Sequence, residues 1–132
     1  MTNLLAVFAP IERKWIEMAV EYFEQGNNFL YFYTNSKNIG NAEKVGVKKI
    51  YFKIKGENFI SAAADFVELL TENPKVNIFE VNAEIKAKYF YSFKNLKVLK
   101  QKIPLSEVTR FPSKKILRND TPGVCVINDP LI

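Results

Sequence analysis

Histidine is absent from the 132 residues, and that absence excludes more chemistry than any motif adds. Imidazole-based serine or cysteine triads cannot be built, histidine general acids are missing, and one thiol with carboxylates does not make the usual zinc site. Cysteine is nearly absent too. Cys125 stands alone, so no internal disulfide forms and stability must come from packing, as in a reducing compartment. Within Val124-Cys125-Val126-Ile127 the thiol reads as a small core residue of a buried strand rather than as a nucleophile, which would need a base beside it. No run approaches the ~18 apolar residues of a membrane span, and Met1-Thr-Asn-Leu-Leu-Ala-Val-Phe8 lacks the basic start and cleavage site of a signal peptide. A cytoplasmic protein with no membrane partner is therefore expected. The five glycines, at 26, 40, 46, 56 and 123, form neither a GxxxxGK[ST] loop nor a GxGxxG turn. No catalytic residue, metal ligand or cofactor is expected, and the chain reads as a non-enzyme.

What is present is apolar and aromatic material, 48% and 14% of the residues, enough to bury the core of one domain spanning 1–132. The charge is lopsided. Residues 1–46 carry four basic and five acidic side chains, residues 47–84 five and six, and residues 85–132 ten and three. The last block, net +7, thus holds more than the whole excess of +5. Lys86, Lys88, Lys94, Lys97, Lys100, Lys102, Arg110, Lys114, Lys115 and Arg118 supply a field that would attract a polyanion; the alternative is a solvated lysine-rich surface.

Local patterning supplies the elements. Leu4 to Phe8 suits a buried strand ending at Pro10. From Glu12 to Gln25, Trp15, Met18, Ala19, Tyr22 and Phe23 recur at helical spacing opposite Glu17, Glu21 and Glu24, and Gly26 stops the helix. Phe29 to Tyr33 reads as extended, running into a polar loop with a short helical turn from Thr34 to Asn41. Lys48 to Lys55 alternates, with Ile50, Phe52 and Ile54 on one face and Tyr51, Lys53 and Lys55 outward, before the turn at Gly56. Residues 60–70 admit two readings: a helix on alanine and leucine propensity, or a strand with Ile60, Ala62, Ala64 and Phe66 on one face. Val76 to Glu84 is strand-like, Lys88 to Leu99 gives a long strand interrupted near Lys94-Asn95, Pro104 to Glu107 a short helix, and Val124 to Ile127 a final strand. About seven strands without regular β-α alternation predict a mixed barrel with helices at its mouth.

Val45-Gly-Val-Lys-Lys-Ile-Tyr-Phe-Lys-Ile-Lys-Gly56, followed by Phe59-Ile-Ser-Ala-Ala-Ala-Asp-Phe-Val67, resembles the hairpin of EVE domains in the PUA-like superfamily. The order of basic strand, Ile103-Pro-Leu-Ser-Glu-Val108 and closing strand is similar too. The resemblance implies an α+β fold, a PUA-like mixed β-barrel of about six to seven strands flanked by two or three short helices. It makes residues 60–68 the second strand of a hairpin, against their propensity, and that reading is adopted. It also implies binding of RNA, or of DNA with a modified base, the base being flipped into a pocket between barrel and first helix. Leu4-Leu5-Ala6-Val7 stand where such domains often carry a tryptophan, and no Trp-Gly occurs near the C-terminus, so no pocket residue is carried over individually.

Candidates for the interface come from the residues themselves. A flipped base needs an aromatic face and hydrogen-bond partners for its edge. Tyr31 and Tyr33 share a strand face leading into Thr34-Asn35-Ser36, Trp15 lies on the neighbouring helix, and Tyr89, Tyr91 and Phe93 share a face in the basic block. Each is also a ready core residue with its hydroxyl exposed. Phe111 to Arg118 combines an aromatic, a hydroxyl, Lys114, Lys115 and Arg118 in a loop suited to phosphate, and Lys53 and Lys55 would extend that surface. Two other readings stand beside this one. Asp65 with Glu84-Ile85-Lys86 matches the acid and Glu-x-Lys spacing of metal-dependent nucleases, a short pattern that often arises by chance. A protein-docking adaptor would use the basic strand against an acidic partner.

Overall fold

The computed structural model describes residues 4–78, 87–111, 113–117 and 123–130. Its elements run β1 (Leu5–Ile11), α1 (Arg13–Glu24), β2 (Leu30–Thr34), a 3-10 turn (Lys37–Ile39), β3 (Lys49–Ile54), β4 (Phe59–Leu70), β5 (Tyr89–Pro104), a second 3-10 turn (Leu105–Glu107) and β6 (Cys125–Asn128). The fold is α+β, one helix on a six-stranded mixed sheet of order β2-β5-β4-β3-β1-β6 among the described residues. Only β1 and β3 pair in parallel, Ala6 opposite Lys49 through Ile11 opposite Ile54. The short helices expected beside α1 are the two 3-10 turns. The helix is not long and apolar enough to cross a membrane.

Residues 60–70 form a strand, and their position explains why propensity loses. β4 lies between β3 and β5, with Ala62 opposite both Phe52 and Val98, so its backbone is laddered on both sides from Ile60 to Asp65. The buried Ala62 and Ala64 take little room on the face that carries Phe52 and Phe93. Their rings, with Phe32, form the centre of the core: Phe93 lies 4.9 Å from both Phe32 and Phe52 between centroids, at tilted to edge-on angles. Ile16 and Ala19 of α1 bury into the same cluster with Trp15, Tyr22 and Phe23 beside them. Met18 departs from the expected stripe. It follows Ile16 by two residues, about 200° around the helix, and is 42% exposed.

The sheet is strongly curled. β2 and β3 are three strands apart in the sheet, about 14 Å if it were flat, yet Phe32 and Phe52 touch at 5.8 Å. Bulges cause the curl. The β4–β5 register shifts between Ile60 and Ala62, Ala63 and Asp65, and Phe66 and Glu68, and each extra residue bends and twists the ladder. Asn95, where the sequence breaks the strand, has φ of 55°.

The expected barrel does not close. β2 and β6 share no ladder, and β2 ends at a polar loop before it reaches the opposite edge. Ser36 bridges the seam instead: its Oγ donates to the Val124 carbonyl at 2.6 Å. Gly123 sits against it with φ of 69°, where a Cβ would meet the Ser36 side chain at 3.1 Å.

A second cluster fills the other face of β1 and β3, joining Phe8, Tyr51, Ile60, Ile103, Leu105, Val108, Leu117, Cys125 and Ile127. This corrects the outward placement of Tyr51 and Lys53. The C-terminal segment covers Tyr51 on that face, and Lys53 is only 3% exposed; loss of water lowers its pKa although the Glu57 charge works the other way. Cys125 is buried within this cluster, and burial raises its pKa, as suits an inert thiol.

Candidate nucleic-acid interface

The open seam leaves a cavity of about 300 Å³ between the end of β1, the start of α1 and the end of β2. Pro10 and Ile11 form its floor entry, and Glu12 follows in extended conformation before its carbonyl accepts the first helical bond from the Trp15 amide at 3.0 Å. That turn sets Trp15 at the rim, half-buried, with the Lys14 ammonium 5.2 Å from its ring centre. Tyr31, Phe32, Tyr33 and Thr34 line the β2 side, Lys55 the β3 side, and Ile78, Tyr91, Gly123 and Val124 complete the wall. The Lys55 amide donates to the Ile11 carbonyl at 2.8 Å, fixing the β3 turn to the cavity mouth.

Six of the residues expected at an interface therefore meet here: Trp15, Tyr31, Tyr33, Thr34, Lys55 and Tyr91. Their roles differ. Tyr31 is buried against Phe29, and its hydroxyl donates to Glu68 Oε1; burial, then the Glu68 carboxylate, push its pKa up to about 12. It is a fixed wall. Tyr33 is 40% exposed, its ring tilted against Phe90 at 6.2 Å. Tyr91 lies opposite Phe32 across the β2–β5 ladder and is fully buried, yet its hydroxyl has no hydrogen-bond partner among the described residues. Burial alone drives its pKa up, so it stays protonated and able to donate. It cannot offer a ring face for stacking, the role first expected of it.

The remaining expected residues fall elsewhere, and the Thr34 side chain at the cavity is itself engaged. Thr34 Oγ1 accepts from the Ser36 amide at 3.1 Å, Ser36 Oγ caps the 3-10 turn through the Asn38 amide at 3.3 Å, and Asn35 Oδ1 accepts from the Lys88 amide at 3.1 Å. These side chains hold the seam loop rather than waiting for a base edge, which corrects their expected role. Tyr89 packs on the core beside Gly40, where a Cβ would lie 2.7 Å from its hydroxyl. Lys53 is buried, so it adds no cation to a surface. Lys114 and Lys115 occupy a hairpin beyond Val124, and Arg118 lies outside the described residues.

The basic block is thus split. Lys94, Lys97, Lys100 and Lys102 lie on the part of β5 beyond its pairing with β2, where β4 is the only ladder partner. Lysines on such an open edge discourage pairing with another chain, a sufficient reason for them to be there. Asp65 of the nuclease pattern is also spoken for. Its carboxylate accepts from Lys49 Nζ at 2.5 Å and Asn95 Nδ2 at 2.8 Å, and these bonds hold its pKa below the usual range. It clips β3 and β5 to the bulged β4. Glu84 and Lys86 lie outside the described residues, and among those described no group of three metal-ligating side chains gathers.

Glu12, Gly123 and Val124 were not anticipated at the cavity. Nothing local to them signals it; they arrive through the curl that brings the two sheet edges together. Comparison with protein-family models, with characterised proteins and with solved structures returns no match.

Proposed function

We propose that this domain is a non-catalytic nucleic-acid-binding module that takes one base, of RNA or of DNA with a modified base, into the seam cavity. One observation carries the reading: a cavity rimmed by Trp15 and Tyr33 has in its wall the fully buried Tyr91, whose hydroxyl has no hydrogen-bond partner among the described residues. A buried donor left unpaired costs about 1–3 kcal/mol, and a ligand acceptor removes that cost. The cavity volume is at the small end of the roughly 300–1,000 Å³ typical of ligand sites, suited to a single base. Trp15 and Tyr33 supply stacking faces, Glu12 an acceptor for an exocyclic amine, and Lys55 a cation at the mouth. The likeness of residues 45–67 to EVE domains of the PUA-like superfamily supports the same class of ligand and suggests an incompletely closed relative of that barrel.

Trp15 is the only tryptophan, so binding reports itself. Single- and double-stranded RNA and DNA oligonucleotides, plain or with methylated and hydroxymethylated bases, are titrated while tryptophan emission is followed. A preferred oligonucleotide should quench that emission, with affinity falling as salt rises. Trp15→Ala should cost the roughly 1–3 kcal/mol of one stacked base, about 5- to 150-fold. Failure of every oligonucleotide to bind at low salt refutes the proposal.

A further inference from the structure

A second cavity, of about 420 Å³, opens on the far side of the Ser36–Val124 bridge. Its lining includes Lys37, Asn41, Arg110, Ser113 and Lys115, and no carboxylate. Among the described residues the ion pairs Arg13–Glu57, Lys14–Glu12 and Lys49–Asp65 involve none of these three cations, and the Arg110 side chain also hydrogen-bonds the Cys125 thiol.

The backbone places two of the cations together on purpose-built geometry. Thr109 bridges Ile116, the Arg110 amide donates to the Lys115 carbonyl at 2.8 Å, and the Lys114 amide donates to the Arg110 carbonyl at 2.9 Å. These bonds close a hairpin in which Arg110 and Lys115 face one another. Like charges directly opposed across a ladder are unfavourable. The turn also places Lys114 at φ of 60°, a conformation that glycine or asparagine adopts more readily. The hairpin is fastened to β6, because Arg110 bridges Ile127 and the Phe111 amide donates to the Val126 carbonyl at 3.0 Å. Lys37 comes from the opposite side, on the 3-10 turn capped by Ser36. Three cations thus converge from two independent elements onto one polar hollow.

We propose that this second cavity binds the phosphate group next to the nucleotide whose base occupies the seam cavity, with Arg110, Lys115 and Lys37 as its ligands. The proposal rests on the base-binding reading for the identity of the phosphate, though not for the anion site itself. The two cavities share one partition: Val124 lines the first, and Cys125 and Val126 the second. Arg110 offers a planar fork for two phosphate oxygens, while Lys37 and Lys115 act as point charges and Ser113 and Asn41 as neutral donors.

The test uses the whole isotope-labelled chain, followed by amide NMR, with three probes: inorganic phosphate, a short single-stranded oligonucleotide that binds, and that oligonucleotide with one uncharged methylphosphonate linkage moved along it. The oligonucleotide should shift the amides of residues 37–41, 110–111, 113–115 and 124–126. One linkage position, beside the preferred base, should cost about tenfold in affinity in the wild type. Arg110→Gln should cost a similar factor, reduce the salt slope by about 0.7, and make that position no longer matter. Lys100→Gln with Lys102→Gln, on the open β5 edge, should leave the position effect intact. A position effect equally large in Arg110→Gln overturns the proposal. Phosphate-induced shifts at the hairpin with no oligonucleotide binding would refute the base-binding reading while upholding the anion site. Absence of shifts with any probe would overturn both.

Discussion

Replacing Tyr91 by phenylalanine separates a ligand-binding hydroxyl from a merely buried one, because the two roles move stability and binding in opposite directions. The ring is fully buried in the main core and the hydroxyl has no partner among the described residues. Phenylalanine keeps the ring and its contacts with the core and removes only the oxygen, so no cavity larger than that oxygen is left. An unpaired buried hydroxyl costs about 1–3 kcal/mol, so Tyr91→Phe should stabilise the free protein by about that amount. At the usual unfolding entropy per residue, each kcal/mol corresponds to roughly 4 °C in a chain of this length. If the hydroxyl donates to a base, the same change should weaken binding by about 0.5–1.5 kcal/mol, or about two- to twelvefold. Thermal melts followed by circular dichroism read the first effect, and Trp15 emission titrations read the second. Because burial raises the Tyr91 pKa, the binding loss should be the same at pH 6 and pH 9. A variant that melts lower than the wild type, or one that binds the preferred oligonucleotide equally well, would refute the reasoning.

Three further outcomes are expected. Tyr31 has a pKa raised from 10.0 to about 12 by burial and Glu68, so its protonated form favours the folded state below pH 10. That contribution should be lost as pH rises from about 10 to 12, and Tyr31→Phe should flatten this part of the stability curve in a denaturant series. Gly123→Ala should destabilise by about 1–2 kcal/mol for the left-handed backbone, and more from the clash with Ser36, with a matching fall in the denaturation midpoint. Lys115→Glu should raise thermal stability by about 0.2–1 kcal/mol by giving Arg110 an opposite charge across the hairpin, while sharply weakening oligonucleotide binding; unchanged binding would exclude the hairpin from the interface.

Much of the fold was legible because it is written in local chemistry. Gly26 ends α1, Ser36 caps a turn as a polar loop residue does, Asn95 interrupts β5 where the strand pattern falters, and Pro104 starts a 3-10 turn. The candidate site was legible in its residue types only. Trp15, Tyr31, Tyr33 and Lys55 reach one cavity, but Asn35, Ser36 and Tyr89 serve the scaffold, and Lys53 is buried. A strand's alternation reports which face is apolar; it does not report whether the other face will be covered. The same limit applies to the charge. The excess in residues 85–132 was plain from a count, whereas its division between an open strand edge and the Arg110–Lys115 hairpin required knowing which neighbours each strand has.

The sequence by itself determined the chemistry on offer: no imidazole, one thiol, an aromatic core, and an excess of positive charge confined to its last third. It also determined most element boundaries, because helix stops, turns and strand breaks depend on residues a few places apart. The tertiary structure decided which face of β3 sees water, that residues 60–70 extend rather than coil, and that the sheet curls without closing. Those outcomes depend on ladders and packing between residues far apart in the chain. The gap left by that incomplete closure is where both cavities lie.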